Sequence, residues 1–281
     1  MRISGKNFTL IELLVIIAII ATLASIMLPS LMYARSVAME AKCAGQLKQL
    51  GDCARSYLDD HEGFWPCDGN SEFSYIWGLW AGGYLSGYDR NGVAEYRDWL
   101  KKGSRPKFIL CPMVDEYIPS GGTVYPQAYG SQYNHNDTGS QLSRINASGA
   151  GMFTRLPHWK YGYKRSGNSY SLVTSKLSPS RQVLLCDGAA KSSSGTVYQR
   201  ANLNTSSSDR STADNPSYGA PTLMHRAQIL LLTFSGNVAF AQEDVFKSEY
   251  YFPNFSNMGT SGLGFLLPCV YYDEEMVART P

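Results

Sequence analysis

The sequence predicts an α+β protein in which a long N-terminal helix, with a transmembrane half and a docked half, lies against an antiparallel β-sheet head. Three observations support this fold class. The segment from Phe8 to Leu28 is apolar except for one charge, a helical stripe of apolar residues follows it, and short strand-like segments fill the rest of the chain. Residues 62–281 are long enough for one head domain with its own core.

The apolar segment has the length of a membrane span, since a helix needs ~20 residues to cross the hydrocarbon core of a bilayer. Its single charge is Glu12. A carboxylate in this position costs a few kcal/mol unless something pairs with it, so Glu12 is a candidate functional residue. Arg2 and Lys6 precede the segment and are expected to stay on the cytoplasmic side.

The run Phe8-Thr9-Leu10-Ile11-Glu12 after a short basic leader resembles the class III signal of type IV pilins and type II secretion pseudopilins. Asn7 stands where Gly usually precedes the cut. The resemblance implies that residues 1–7 are a leader, that a prepilin peptidase cleaves between Asn7 and Phe8, and that Phe8 is N-methylated. It also implies that Glu12 meets the N-terminal amine of a neighbouring subunit during filament assembly.

Three other interpretations compete for the same segment. A secretory signal has a shorter apolar core of about 7–15 residues, although Ala21 and Ala24 imitate a cleavage site. A plain signal anchor would carry Glu12 incidentally. A buried helix of a soluble protein would confine its apolar residues to one stripe.

Beyond the apolar segment, Pro29 is expected to kink the helix rather than end it, because apolar and helix-favouring residues continue. An apolar stripe then recurs at three- and four-residue steps, which predicts one face docked on the head; its members are Leu47, Leu50, Ala54, Tyr57 and Leu58. Gly63 is a plausible stop. The predicted stem helix spans residues 8–61, with 8–28 in the membrane.

Short apolar runs bounded by turn residues predict strands in the head; examples are residues 107–110, 182–185 and 228–234. The polar stretch of residues 191–219 is expected to be an exposed loop insertion.

Several short pieces of the chain resemble, in their order, the large pilin-like proteins of Planctomycetes and Lentisphaerae; they are residues 43–51, 57–60, 64–66, 111–112, 129–134 and 178–180. Those proteins carry a C-terminal motif of His, nine residues and Asp-Gly. Here His225 is followed by nine residues and then Ser235-Gly236, so the aspartate is replaced.

The same motif predicts a β-hairpin, in which residues 229–234 and 237–240 are strands joined by the two-residue link Ser235-Gly236. His225 is then expected to be a hydrogen-bonded residue at a strand edge. A processing or partner-contact role is the alternative.

The sequence gives catalysis little support. The four histidines lack close metal-ligand spacing, and no nucleophile, phosphate or dinucleotide motif is present. Asp187-Gly188 is expected to be a solvated turn and residues 273–275 a solvated tail, with Ca²⁺ binding as the alternative, although neither has EF-hand spacing. We therefore expect no enzymatic activity, cofactor or metal, and a net charge of +2 predicts no nucleic-acid partner.

Six cysteines lie outside the apolar segment, on the side where disulfides persist. Cys43 and Cys53 would be about 15 Å apart on a continuous helix, beyond the ~7 Å limit for bridged Cα atoms. Of the 15 connectivities that six cysteines allow, we favour those containing a bridge between Cys43 and Cys111. At least one disulfide is expected to tie the stem to the head.

Together these features predict a pilin-like subunit of a type IV pilus or type II secretion pseudopilus, anchored once in the inner membrane with its head in the periplasm or on an extracellular filament. Its expected partners are other filament subunits, identical or different, and the prepilin peptidase. The alternative is a periplasmic binding or hydrolytic domain that uses the helix only as an anchor.

Overall fold

The computed structural model describes residues 9–61, 75–85, 106–114, 127–131, 161–166, 169–174, 178–181, 183–191, 195–201, 203, 219–243, 271–272 and 278–279. Contacts between Cα atoms divide the chain into two compact units, residues 1–42 and 43–281. The long helix α1 begins in the first unit and ends in the second. One long helix and several antiparallel sheets make this an α+β chain, as the sequence predicts.

Helix α1 spans Leu10–Asp60, a length of 51 residues. Pro29 lies inside it and does not end it, although its missing N–H leaves one carbonyl of the preceding turn without a helical partner. At the C-terminal end the N–H of His61 still donates to the carbonyl oxygen of Tyr57 at 3.0 Å. The predicted start at Phe8 lies outside the described residues.

The N-terminal part of α1 presents large apolar side chains to its surroundings, from Leu10, which is 79% exposed, to Val37, which is 39% exposed. By length and composition, α1 is the one helix in the described part of the chain that could cross a membrane. Contiguous apolar surface of this extent is rare on a monomeric soluble protein and marks contact with lipid or with another protein.

The C-terminal part of α1 belongs to the second unit and carries a buried stripe whose members expose at most 7% of their surface; they are Cys43, Leu47, Leu50, Ala54, Tyr57 and Leu58. This stripe forms the main core together with residues from other elements, among them Tyr75, Leu79, Leu185, Leu230 and Leu232. Gly51 lies on the same face, where a Cβ atom would collide with the side chain of Leu232. The helix therefore packs closely on the sheet, and the predicted docked half is present.

We expect Leu50→Ala to lower the free energy of unfolding by about 2–5 kcal/mol, because Leu50 is fully buried and its truncation leaves a cavity. Gln49→Ala is the matched control, since Gln49 is exposed on the same helix. Urea denaturation of both variants measures the difference. Equal denaturation midpoints for the two variants would place the stripe on the surface.

The second unit contains a short helix, α2, over Tyr75–Ala81, and a 3₁₀ turn over Lys107–Ile109. Its described strands are β1 (Tyr161–Ser166), β2 (Ser169–Thr174), β3 (Val183–Cys186), β4 (Gly188–Lys191), β5 (Val197–Gln199), β6 (Ala220–Pro221), β7 (Ile229–Thr233), β8 (Val238–Ala241), β9 (Tyr271–Tyr272) and β10 (Ala278–Arg279).

These strands form two three-stranded sheets, in the orders β3-β7-β8 and β5-β4-β6, and two ribbons, β1-β2 and β10-β9. Each pairing between the named strands is antiparallel. Strand β7 is central to its sheet and all five of its residues are buried, four apolar residues followed by Thr233. Asp187 joins β3 to β4 and so connects the two larger sheets.

Strands β7 and β8 form the hairpin that the sequence predicts, with Leu232 opposite Val238. The N–H of Thr233 donates to the Asn237 carbonyl at 2.9 Å, and the N–H of Gly236 donates to the Thr233 carbonyl at 2.8 Å. The loop thus has three residues rather than the predicted two. Its last residue, Gly236, has φ +85°, which suits glycine at the bulge that closes a three-residue hairpin loop.

Two predictions for the head are wrong. Residues 107–110, predicted as a strand, form a 3₁₀ turn followed by one extended residue. Residues 191–219 are expected from the sequence to be an exposed loop insertion, but part of this segment is buried in the second unit. Strand β5 pairs with β4, and Tyr198 is fully buried. The polar composition around Tyr198 conceals this short strand, because three residues are too few to give a detectable alternation.

Candidate functional site

Of the residues predicted to act at the N-terminus, Asn7 and Phe8 lie outside the described residues. Glu12 is described, in the first turn of α1. Its Oε2 accepts hydrogen bonds from the backbone N–H of Thr9 at 2.8 Å and from the Thr9 hydroxyl at 2.9 Å, and Thr9 Oγ1 accepts from the N–H of Glu12 at 3.3 Å. This is a capping box, in which the N-cap side chain and the residue three positions later satisfy each other's backbone donors. The spacing Thr9-x-x-Glu12 is its signature in the sequence.

A disulfide joins Cys43 on α1 to Cys111, with a Cα–Cα distance of 5.2 Å. Both residues are fully buried in the main core. This is the bridge that the sequence analysis favours. The N–H of Cys111 donates to Gln199 Oε1 at 2.8 Å, and the hydroxyl of Tyr129 donates to the Cys43 carbonyl at 2.9 Å, so both ends of the bridge are fixed by hydrogen bonds.

His225 lies beside this disulfide, at the start of the tight turn that precedes β7. The backbone groups of His225 and Gln228 exchange two hydrogen bonds of 3.0 Å. The two residues between them, Arg226 and Ala227, have φ values of 50° and 58°, which is the left-handed conformation that a type I′ turn requires. Neither residue is Gly, so the turn carries backbone strain of order 1 kcal/mol or more per residue. It holds the imidazole inside the core.

The imidazole of His225 pairs with the carboxylate of Asp187: Nε2 lies 3.0 Å from Oδ2, and both side chains are fully buried. The same oxygen accepts the N–H of Leu230 at 2.8 Å. Asp187 is thus fixed between two sheets, where its own N–H donates to the Leu230 carbonyl at 2.9 Å. His225 is hydrogen-bonded, as expected, whereas the prediction that Asp187 lies in a solvated turn is wrong.

Burial raises the pKa of Asp187 above its ordinary value, against the smaller lowering effects of the His225 hydrogen bond, the His225 charge and the N–H of Leu230. Removing a carboxylate from water disfavours its charged form. The second oxygen, Oδ1, is buried and has no hydrogen-bond partner among the described residues.

His225 also contacts two sulfur atoms. Its Nε2 lies 3.8 Å from Sγ of Cys111, and its Nδ1 lies 3.1 Å from Sδ of Met113. The ring of Phe240 meets the imidazole edge-on, with 5.6 Å between centroids. A buried carboxylate, a buried imidazole and a buried disulfide therefore meet the thioether of Met113, which is itself exposed. We call these residues the Asp187–His225 cluster, and no local sequence motif predicts it.

The other end of β7 carries Ser235-Gly236, and α1 binds this loop directly. Nζ of Lys48 donates to the Gly236 carbonyl at 3.2 Å, and Nη2 of Arg55 donates to the Phe234 carbonyl at 2.6 Å. A Cβ atom on Gly236 would lie 2.8 Å from Arg55 Nη2. His225 and Ser235-Gly236 thus lie at the two ends of β7, His225 in the core beside the disulfide and Ser235-Gly236 against α1.

The remaining sequence candidates stay apart from this cluster or are not described. His61 stacks on Tyr57, with 3.9 Å between ring centroids, at the end of α1. His135, His158 and residues 273–275 lie outside the described residues.

Comparisons with known protein families, with curated proteins and with solved structures find no match.

Proposed function

We propose that the chain is a non-enzymatic, pilin-like subunit that is anchored once in the inner membrane and assembles through its N-terminal helix into a type IV pilus or type II secretion pseudopilus. The observation that carries this proposal is the division of α1. One continuous helix of 51 residues has an exposed apolar part and a part whose stripe lies in the core of the second unit.

This division suits a subunit that moves from a bilayer into a filament. The exposed apolar surface needs lipid before assembly and other subunits afterwards. The docked part, held by the core and by the Cys43–Cys111 bridge, keeps the head attached while the helix bears load. A plain signal anchor needs no such continuation of its helix into the core.

The capping box adds a step to the proposed role of Glu12. In this chain the carboxylate already has a partner, Thr9, whose N–H and hydroxyl it accepts. In the proposed filament, the N-terminal amine of a neighbouring subunit joins or replaces Thr9. An unpaired carboxylate is costly in lipid. The capping box lowers this cost, because Glu12 stays hydrogen-bonded to Thr9 until the amine of the neighbouring subunit binds.

Mass spectrometry of the mature N-terminus of the native protein tests the proposal. We expect a chain that begins with N-methylated Phe8. An intact Met1, or a cut near Ala24, would contradict processing by a prepilin peptidase and favour a signal anchor or an ordinary secretory signal.

We expect Glu12→Leu to insert into the membrane and to fail in assembly. A charged hydrogen bond is worth about 1.5–3 kcal/mol, so its loss weakens association by on the order of 10- to 100-fold. The measurement is the amount of the variant protein in filaments sheared from the cells, divided by its amount in the membrane fraction.

Glu12→Gln is the decisive companion variant, because Gln also completes a capping box but carries no charge. Under the proposal, Glu12→Gln fails in assembly as Glu12→Leu does. Assembly at the wild-type level by Glu12→Gln, with failure by Glu12→Leu, would reduce Glu12 to a helix cap.

A further inference from the structure

The Asp187–His225 cluster contains three atoms that can act as metal ligands, two of which form the disulfide in the oxidised chain. Sγ of Cys43, Sγ of Cys111 and Nε2 of His225 all lie within 4.8 Å of one another, and all three residues are buried. They come from α1, from the segment after the 3₁₀ turn and from the turn before β7, so the tertiary fold alone brings them together.

A carboxylate lies beside this set, next to its imidazole. Oδ2 of Asp187 lies 3.0 Å from Nε2 of His225, and Nε2 lies 3.8 Å from Sγ of Cys111. Zn²⁺ binds thiolate sulfur at about 2.3 Å and imidazole nitrogen or carboxylate oxygen at about 2.0–2.2 Å in a tetrahedron, which separates the ligand atoms by roughly 3.3–3.8 Å. The distance between Nε2 of His225 and Sγ of Cys111 already meets this spacing, and the two sulfur atoms, which are bonded in the oxidised chain, must separate after reduction to reach it.

A second observation points to a cation at the same place. Oδ1 of Asp187 is fully buried, and no described residue donates a hydrogen bond to it. A buried acceptor without a partner destabilises the folded chain, and more so when it is charged. A divalent cation bound at Nε2 of His225, which lies 3.0 Å from the other oxygen of this carboxylate, would offset its buried negative charge.

We propose that, when the Cys43–Cys111 bridge is reduced, Cys43, Cys111 and His225 bind one Zn²⁺ ion, with water as the fourth ligand. A dithiol reductant supplies two electrons and two protons to the disulfide, is itself oxidised to a disulfide, and leaves two thiols. Zn²⁺ then displaces the two thiol protons to solvent. The imidazole proton moves from Nε2 to Nδ1, beside Met113, so that the Nε2 lone pair faces the metal.

The link between α1 and the residues around Cys111 is then maintained in either redox state, by a covalent bond in the oxidised chain and by the metal in the reduced one. A zinc site of this kind also protects its thiolates, because metal-bound sulfur is a poorer nucleophile than a free thiolate. Reduced chains would thus hold the two cysteines in place for correct oxidation.

The test uses the full-length chain in detergent micelles, reduced with a phosphine, freed of metal and then exposed to Zn²⁺ alone. Zn²⁺ should slow alkylation of Cys43 and Cys111 at least about 10-fold, as mapped by peptide mass spectrometry, and should leave Cys53 unprotected. Cys53 is the internal control because it lies on the same helix, is reduced and is only partly buried. Equal alkylation rates with and without Zn²⁺ at Cys43 and Cys111 would overturn the proposal.

Zinc stoichiometry gives an independent measurement. When the Cys43–Cys111 bridge alone is reduced, the wild-type chain should bind one more equivalent of Zn²⁺ than the oxidised chain. Any Zn²⁺ bound by cysteines outside the described residues is then the same in both preparations. The Cys111→Ser variant should lose that equivalent and Cys53→Ser should keep it. His225→Gln should weaken binding by more than the roughly 10- to 100-fold typical of losing an outer hydrogen-bond partner. Retention of full stoichiometry and affinity by Cys111→Ser and His225→Gln would place the metal elsewhere.

Discussion

Replacing both Cys43 and Cys111 with Ala is expected to lower the free energy of unfolding by about 4 kcal/mol. The bridge closes a loop with a sequence separation of 68 residues. In the chain-entropy model, a cross-link of this span removes about that much conformational freedom from the unfolded state. For a domain of this size, the loss corresponds to a fall in melting temperature of roughly 8–16 °C.

The measurement is thermal unfolding in the absence of divalent metal, with and without a reductant. The reductant should lower the melting temperature of the wild-type chain by more than that of the double variant. Cys53→Ala is the matched control on α1, since Cys53 is reduced in the structure. A double variant that melts with the wild-type chain would show that the bridge contributes nothing to stability.

The long helix and the hairpin could be predicted because their signals are local and repeated. The stripe from Leu47 to Leu58 follows the period of a helix over more than three turns, and it is buried. Strand β7 contains four consecutive apolar residues, Ile229 to Leu232, and it forms the centre of its sheet. Signals of this kind depend only on the local sequence, so they can be recognised without knowing the tertiary contacts of the segment.

The errors arise where a segment is short. Residues 107–110 have strand-like composition but make a 3₁₀ turn, in which the N–H of Leu110 bonds back to Lys107. Tyr198 is buried although polar residues surround it in the sequence, because β4 pairs with its strand. A local hydrogen bond decides the first conformation and tertiary pairing decides the second, and intrinsic strand propensity decides neither.

The Asp187–His225 cluster could not be predicted from the sequence. Asp187 is followed by Gly, which is typical of an exposed turn, and its partners Leu230 and His225 lie about 40 residues away. Cys111 and His225 are separated by 114 positions. The capping box is different, because the pair Thr9 and Glu12 carries a recognised local pattern. Because Glu12 is a charge inside an apolar segment, the sequence suggests a partner on another subunit. The partner that the structure describes is Thr9, three residues away on the same chain.

We expect Asp187→Ala to destabilise the fold by about 3–5 kcal/mol, because it removes one partner of a buried pair and leaves the other without compensation. His225 would lose the acceptor of its Nε2 proton, and the N–H of Leu230 would lose the side-chain oxygen that accepts it. Asp52→Ala is the control: Asp52 pairs with Lys48 at 3.1 Å on the exposed face of α1. Loss of a surface pair of this kind costs about 0–1 kcal/mol.

Asp187→Asn separates the charge from the hydrogen bonds, because the amide keeps an oxygen for Leu230 and the shape of the side chain. Burial raises the pKa of Asp187 in the folded state, while in the unfolded state it stays near its ordinary value of about 3.9. Between these two values the folded chain holds a proton that the unfolded chain has lost, so wild-type stability falls as pH rises and then levels off above the folded pKa. The Asn variant lacks this dependence.

Denaturant unfolding across a pH series should therefore show the wild-type chain losing stability relative to Asp187→Asn as pH rises from about 4. A constant difference between the two chains over that range would mean that the Asp187 carboxyl titrates alike in the folded and unfolded states, and that its burial carries no electrostatic cost.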